Sequence, residues 1–150
     1  MWIEITTKPH LKDVRKIALQ HSIKEDLGVD AEVTKTADIY YIRGNFSDEQ
    51  MQLIGRTITD AIAQSFSCNP VQKEDGWIII VKYKPRITDP VEQSVLKAIS
   101  DVGLQTEAAT MMQKYVLKAQ KQDAERICKE LLANENAHDY YIGNKAIDIK

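Results

Sequence analysis

The chain reads as an α+β protein built from two tandem copies of one β-α-β-β-α-β unit. Two observations predict this. Trp2-Ile3-Glu4-Ile5 and Trp77-Ile78-Ile79-Ile80 open two similar stretches 75 positions apart. Each opening then runs through the same landmarks at an offset of 74 to 76: a Lys-Pro turn (Lys8-Pro9, Lys84-Pro85), an acid (Asp13, Asp89), a helical stretch closed by Gly28 or Gly103, and a strand carrying Tyr40 or Tyr115. A unit of this order covers one face of an antiparallel sheet with helices and leaves the other bare. Two copies in one chain, sheets face to face and helices outside, would bury both bare faces as an internal pseudo-dimer. The expected division is a first repeat at 1–69, a connector at 70–76 and a second repeat at 77–150.

Residues 2–8 alternate loosely and read as a strand. Lys12 to Leu27 reads as a helix with Val14, Ile17, Leu19, Ile23 and Leu27 as its apolar members, stopped by Gly28. Two strands follow at 30–35 and 38–45, with Ile39 to Ile42 the strongest β signal. Ser47-Asp48-Glu49-Gln50 is a capping box opening a helix with Met51, Ile54, Ile58 and Ala61 on one face. A short strand covers Ser65 to Cys68. The connector carries Pro70, Gly76 and the charges Lys73, Glu74 and Asp75, so it reads as solvated.

The second copy repeats the order. Ile78 to Tyr83 is a near-continuous apolar strand. Asp89 caps the next helix with Pro90 at its first position and Glu92 at its third, and Val91, Val95, Ala98, Ile99 and Val102 form its stripe. Strands near 105–110 and 113–119 follow, then a helix at about 122–133 burying Ala124, Ile127, Cys128 and Leu131. A last strand starts at Tyr140 and reaches Ile147 or Ile149.

The 150 residues carry 20 basic and 22 acidic side chains, a net charge of −2. That balance offers no general attraction to nucleic acid or an anionic membrane. No apolar run approaches the ~20 residues that span a bilayer. The N-terminus does not read as a signal peptide, and Cys68 and Cys128 have no metal-like spacing, so the expected compartment is the cytoplasm.

Candidate chemistry is sparse. His10, His21 and His138 have no His, Cys or acid at ligand spacing; His21 reads as half-buried, the others as surface residues. Six separate glycines make no phosphate loop, and no Ser or Cys sits in a nucleophile elbow. Gly55 inside a helix pattern costs about 1 kcal/mol against Ala and suggests close packing. Tyr40-Tyr41 and Tyr140-Tyr141 offer one ring per sheet face, and Tyr41 to Phe46 lacks the RNA-binding signature, which argues against nucleic acid. Lys82-Tyr83-Lys84-Pro85-Arg86 is the one local concentration of positive charge, suited to an anion or an acidic partner surface.

Val81 to Pro90 (VKYKPRITDP) resembles the opening strand and turn of PurS, the small subunit of phosphoribosylformylglycinamidine synthase. Ala98 to Leu104 is similar to the end of its first helix. Ile127 to Asn134 followed by Asp139-Tyr140-Tyr141-Ile142 is similar to its second helix and next strand. The first half resembles the same unit more faintly, and a tandem pair is similar to the N-terminal domain of the large, single-chain PurL. A free-standing tandem PurS and the N-terminal part of a longer synthase both fit. Arg86 and Gln113 stand where the family commonly has Gly.

The resemblance implies a non-catalytic component of formylglycinamide ribonucleotide amidotransferase. Such a unit bridges a PurQ-type glutaminase and a PurL-type synthetase and assists ammonia transfer. ATP, Mg and glutamine would be used by those partners, with no catalytic, cofactor or metal residue in this chain. Lys84, Arg86, Asp89 and Lys114 are the expected partner contacts. The alternative is a tandem ACT-like module binding a small effector, although ACT sites usually have a Gly-rich first turn and these turns are Lys-Pro-His and Lys-Pro-Arg.

Overall fold

The computed structural model describes residues 1–70 and 74–144. Its elements are β1 (Trp2–Thr7), α1 (Val14–Ser22), β2 (Glu32–Arg43), α2 (Asp48–Ile58), β3 (Gln64–Cys68), β4 (Trp77–Tyr83), α3 (Pro90–Asp101), β5 (Ala108–Lys118), α4 (Lys121–Ile127) and β6 (His138–Gly143). The order is β-α-β-α-β, given twice. The strands form one open antiparallel sheet in the order β3-β1-β2-β5-β4-β6. The α+β class and the repeated order are therefore as the sequence indicates.

The strand count is corrected. The two strands expected at 30–35 and 38–45 are one 12-residue strand, β2, and those expected at 105–110 and 113–119 are one 11-residue strand, β5. Neither Thr36-Ala37 nor Met111-Met112 contains the Gly, Pro, Asn or Asp that a hairpin turn requires, so each strand runs on. In place of two separate sheets there is one continuous sheet. The expected end of the last strand, at Ile147 or Ile149, lies outside the described residues, as does connector segment 71–73.

Contacts divide the chain into two compact units. The first takes Met1–Leu11, Ala37–Pro70 and Thr88–Met112; the second takes Lys12–Thr36 and the described residues of Val71–Ile87 and Gln113–Lys150. Each unit thus draws on both sequence repeats. The first holds β1, the end of β2, α2, β3, α3 and the start of β5. Its core is Ile3, Ile5, Tyr40, Ile42, Ile54, Val95, Ile99 and Ala109. The second holds α1, the start of β2, β4, the end of β5, α4 and β6. Leu19 and Ile23 pack there with Ile79, Tyr115, Leu117, Ile127 and Cys128. In this unit Ile79 and Val81 belong to that core, while Ile78 and Ile80, on the opposite face of β4, are buried as well.

The ladders define the repeat more finely than residue counting does. Ile3 pairs with Tyr40 and Cys68; Ile79 pairs with Tyr115 and Ile142. Ile3 therefore matches Ile79, and the two tryptophans that open the copies are one residue out of register. Lys8 N–H donates to Ala63 O, as Lys84 N–H does to Ala137 O, both at 2.9 Å. Asp13 and Asp89 each cap a helix.

From Asp13 to Gly28 is one residue longer than from Asp89 to Gly103. The extra residue is taken up by a π turn at Ile23–Leu27, where Gly28 N–H reaches back five residues to Ile23 O. Gly28 (φ 61°) and Gly103 (φ 83°) then take the left-handed conformation that ends both helices. A second π turn, Cys128–Leu132, follows α4.

Helix faces depart from expectation at several positions. In α1, Leu19 and Ile23 are buried, but Val14 is 75% and Ile17 54% exposed. The reason is angular: at 100° per residue, positions 14 and 17 lie roughly opposite 19 and 23. In α3, Val95 and Ile99 are buried, whereas Val91 and Val102 are partly exposed. Helix α2 ends at Ile58, leaving Ala61 outside it. The Ser47–Gln50 capping box forms as expected, with Ser47 N–H donating to Gln50 Oε1 at 2.9 Å and Gln50 N–H to Ser47 Oγ at 3.2 Å.

Gly55 is explained by packing. A Cβ there would run into the Phe66 ring of β3. Gly55→Ala is expected to lower unfolding free energy by about 1–3 kcal/mol, despite its better helix propensity, in a urea melt. Because each core needs strands from both repeats, residues 1–70 and 76–150 produced separately are expected to give no stable monomeric fold by circular dichroism and sedimentation. Two well-folded monomers would contradict the interleaved cores.

Candidate functional site

The basic turn is built by local hydrogen bonds. Ile87 N–H donates to Lys84 O at 2.9 Å and closes a four-residue turn, in which Pro85 supplies the fixed φ of its second position. The Arg86 guanidinium donates to Asn136 O at 3.1 Å, tying the turn to the loop before β6. The same loop is held by His138, whose Nδ1 accepts from Asn134 N–H at 2.9 Å and whose ring lies 4.9 Å from that of Tyr83. Lys8 acts as Arg86 does, its Nζ donating to Ala61 O at 2.6 Å. Arg86 is exposed and Lys84 half-buried.

Asp89 is buried, at 5% exposure. Its Oδ1 accepts from Val91 N–H at 2.9 Å, which is helix capping. Its Oδ2 has no hydrogen-bond partner among the described residues. Asp13, its counterpart, is better satisfied. One oxygen accepts from Lys16 N–H at 3.1 Å and the other from the Thr36 hydroxyl at 2.6 Å. Counting from Tyr40 and Tyr115, the position of Thr36 corresponds to Met111, which has no hydroxyl to offer.

Lys114 is fully buried. Its ammonium lies 2.8 Å from Glu74 Oε1, and Lys35 Nζ lies 2.8 Å from the same oxygen. Burial of Glu74 works against its charge, but the hydrogen bonds from Lys114 and Lys35 outweigh it and hold the carboxyl below its ordinary range. The ladder explains why a lysine sits inside. Lys114 pairs across β4 with Ile80; the matching pair in the first copy is Ile39 with Glu4. In each copy one charged and one apolar residue face each other, on exchanged strands. Lys114 is therefore an internal group paired with the connector. Of the four residues proposed from sequence, Lys84, Arg86 and Lys114 lie in the second compact unit and Asp89 in the first.

The sequence reading missed Glu74 and Lys35. Glu74 lies in the connector that reads as solvated, although a lysine inside an apolar strand, beside Tyr115-Val116-Leu117, signals that an acid is needed nearby. Gln20 was missed too. Its side chain donates to Ala31 O and accepts from Val33 N–H, both at 2.8 Å, tying α1 to the start of β2.

Both cysteines are free thiols. Cys128 is buried, as expected from its helix face, and burial pushes its thiol up to about 11. His21 is exposed, not half-buried. Among the described residues no group of three or more His, Cys, Asp or Glu could hold a metal ion, and no helix is long and apolar enough to cross a membrane.

The β-α-β-α-β order, given twice on one antiparallel sheet, defines an α+β domain of repeated element order. Residues 77–145 match the family PurS: Phosphoribosylformylglycinamidine (FGAM) synthase, so this part of the chain is a PurS-like domain. The match ties it to FGAM synthase and purine biosynthesis. No curated protein sequence matches the chain.

Glu74→Gln is expected to cost about 1–3 kcal/mol in a denaturant melt at pH 7, because an acceptor shared by two ammonium groups loses its charge. The same change at exposed Glu107, 3.9 Å from Arg43, should stay within about 0.5 kcal/mol. Glu74 titrates below its ordinary value of 4.5, so its contribution is full above that value and is lost as pH falls through the lower folded value. Stability in the glutamine variant should consequently fall less between pH 5 and pH 3.

Proposed function

We propose that the chain is a non-catalytic structural component of formylglycinamide ribonucleotide amidotransferase, a tandem PurS-type scaffold acting in the cytoplasm. The observation that carries this reading is the PurS match over residues 77–145. The repeated element order supports extending it to the first half, since the ladders align Ile3 with Ile79 and the Lys8 turn with the Lys84 turn. In this reading the chain bridges a PurQ-type glutaminase and a PurL-type synthetase and assists passage of ammonia between them. ATP, Mg and glutamine bind to those partners.

The charged groups near the basic turn fit a scaffold. Arg86 and Lys8 hold loops, Asp89 and Asp13 cap helices, and Glu74 pairs with an internal lysine. Exposed Arg86 and half-buried Lys84 are the proposed contacts for an acidic partner surface.

Mixing the chain with glutaminase and synthetase subunits tests this. Glutamine-dependent amidation of formylglycinamide ribonucleotide is expected to depend on the chain, whereas synthesis with added ammonia is expected to persist without it. Unchanged glutamine-dependent activity on omission would overturn the reading. Arg86→Glu is expected to weaken the complex about tenfold or more in a titration.

A further inference from the structure

The loop before β6 and the loop before β3 close with matching hydrogen bonds. In the second repeat His138 N–H donates to Asn134 O at 2.8 Å and Asn136 N–H to Asn134 Oδ1 at 3.0 Å. In the first, Gln64 N–H donates to Asp60 O at 2.8 Å and Ile62 N–H to Asp60 Oδ1 at 2.9 Å. Each loop also accepts an N–H from its Lys-Pro turn, Lys84 on Ala137 O and Lys8 on Ala63 O. One further bond clamps each loop from its own strand. In the first repeat the Gln64 side chain makes it, its Oε1 accepting from Asp60 N–H at 3.0 Å. In the second the same place is taken by His138, whose Nδ1 accepts from Asn134 N–H at 2.9 Å.

The two acceptors differ in one chemical respect. An amide oxygen does not titrate, whereas an imidazole nitrogen accepts only while it is unprotonated, and an imidazolium donates from both nitrogens. The bond therefore fixes the tautomer of the neutral ring, with its proton on Nε2. Protonation sets Nδ1–H against Asn134 N–H, two donors head to head. The ring must then turn away and leave that backbone N–H without its acceptor. His138 is half-buried, so water can reach the ring.

Other charged and titratable groups surround the ring on each element packed against it. Tyr83 of β4 lies directly across, with the ring centroids 4.9 Å apart. Lys82 and Asp139 oppose each other on the same ladder, on the other face of the strands. Lys84 and Arg86 stand in the basic turn, and exposed Glu135 lies in the loop itself. In the π turn before the loop, Glu130 pairs with Arg126 at 3.3 Å beside exposed Lys129. The loop holds the basic turn twice, through Lys84 N–H on Ala137 O and through the Arg86 guanidinium on Asn136 O. Whatever loosens the loop loosens the turn.

We propose that His138 is a pH-sensitive latch. Neutral, it clamps residues 134–137 and through them the turn from Lys84 to Arg86; protonated, it releases both. The matching loop from Asp60 to Gln64, clamped by an amide, keeps its form over the same range. This goes beyond the scaffold role and does not depend on it.

Nuclear magnetic resonance of the intact chain between about pH 8 and pH 5, the span in which histidine changes charge, tests it. At the upper end the His138 ring should carry its proton on Nε2. As the ring titrates, the Asn134 amide should lose about tenfold or more of its protection from hydrogen exchange, beyond the intrinsic pH dependence. The amides of Asn136 and Lys84 should shift with the same midpoint, while the Asp60 amide keeps its protection. His138→Gln, which supplies the acceptor used in the first repeat, should keep Asn134 protected throughout and abolish the response. A neutral ring with its proton on Nδ1, an Asn134 amide indifferent to titration of the ring, or the same loosening in His138→Gln overturns the proposal.

Discussion

Everything else in this molecule depends on two strands that do not stop. β2 and β5 run on through segments that carry no turn-forming residue (Thr36-Ala37, Met111-Met112), and each gives its two ends to two different cores. Val33 lies in one cluster and Tyr40 and Ile42 in the other; Ala109 lies in one and Tyr115 and Leu117 in the other. A hairpin at Thr36-Ala37 would have let each repeat close on itself. Without one, α1 covers strands of the second repeat while α3 covers strands of the first. Neither half of the chain completes a core by itself, because each cluster takes residues from both.

Charge serves that arrangement. A lysine inside a sheet is costly unless its charge is matched. Lys114 is matched by Glu74 at the edge of the connector, and Lys35 from β2 shares the same oxygen. One carboxylate thereby links the connector, β2 and β5. The first copy fills the equivalent strand position with Ile39, so the two copies are related in backbone but not in polarity.

Much of this was legible in the residues. Caps at Ser47 and Asp89, the glycine stops at 28 and 103, and the apolar run of β4 all act locally, and local signals name elements well; the cap at Asp13 was hidden inside a helix expected to begin at Lys12. The continuity of β2 was not legible, because a six-residue and a twelve-residue strand differ only in the absence of a turn, which leaves no positive mark. The partition of α1 was missed because Val14, Ile17, Leu19 and Ile23 look like one set until angles are assigned. Glu74 was missed because its partner is 40 residues away, and nothing local distinguishes an acid that pairs with an internal lysine from one that faces water.

The π turn at Ile23–Leu27 has a consequence for how such a pair of copies can diverge. A length change placed there shifts the numbering on one side without moving a ladder bond, since the bulge widens the coil and leaves both neighbouring strands in step. Insertions of a single residue can thus accumulate in the helices while the sheet keeps its pairing. Ancestry in this architecture is better preserved in cross-strand partners than in linear spacing.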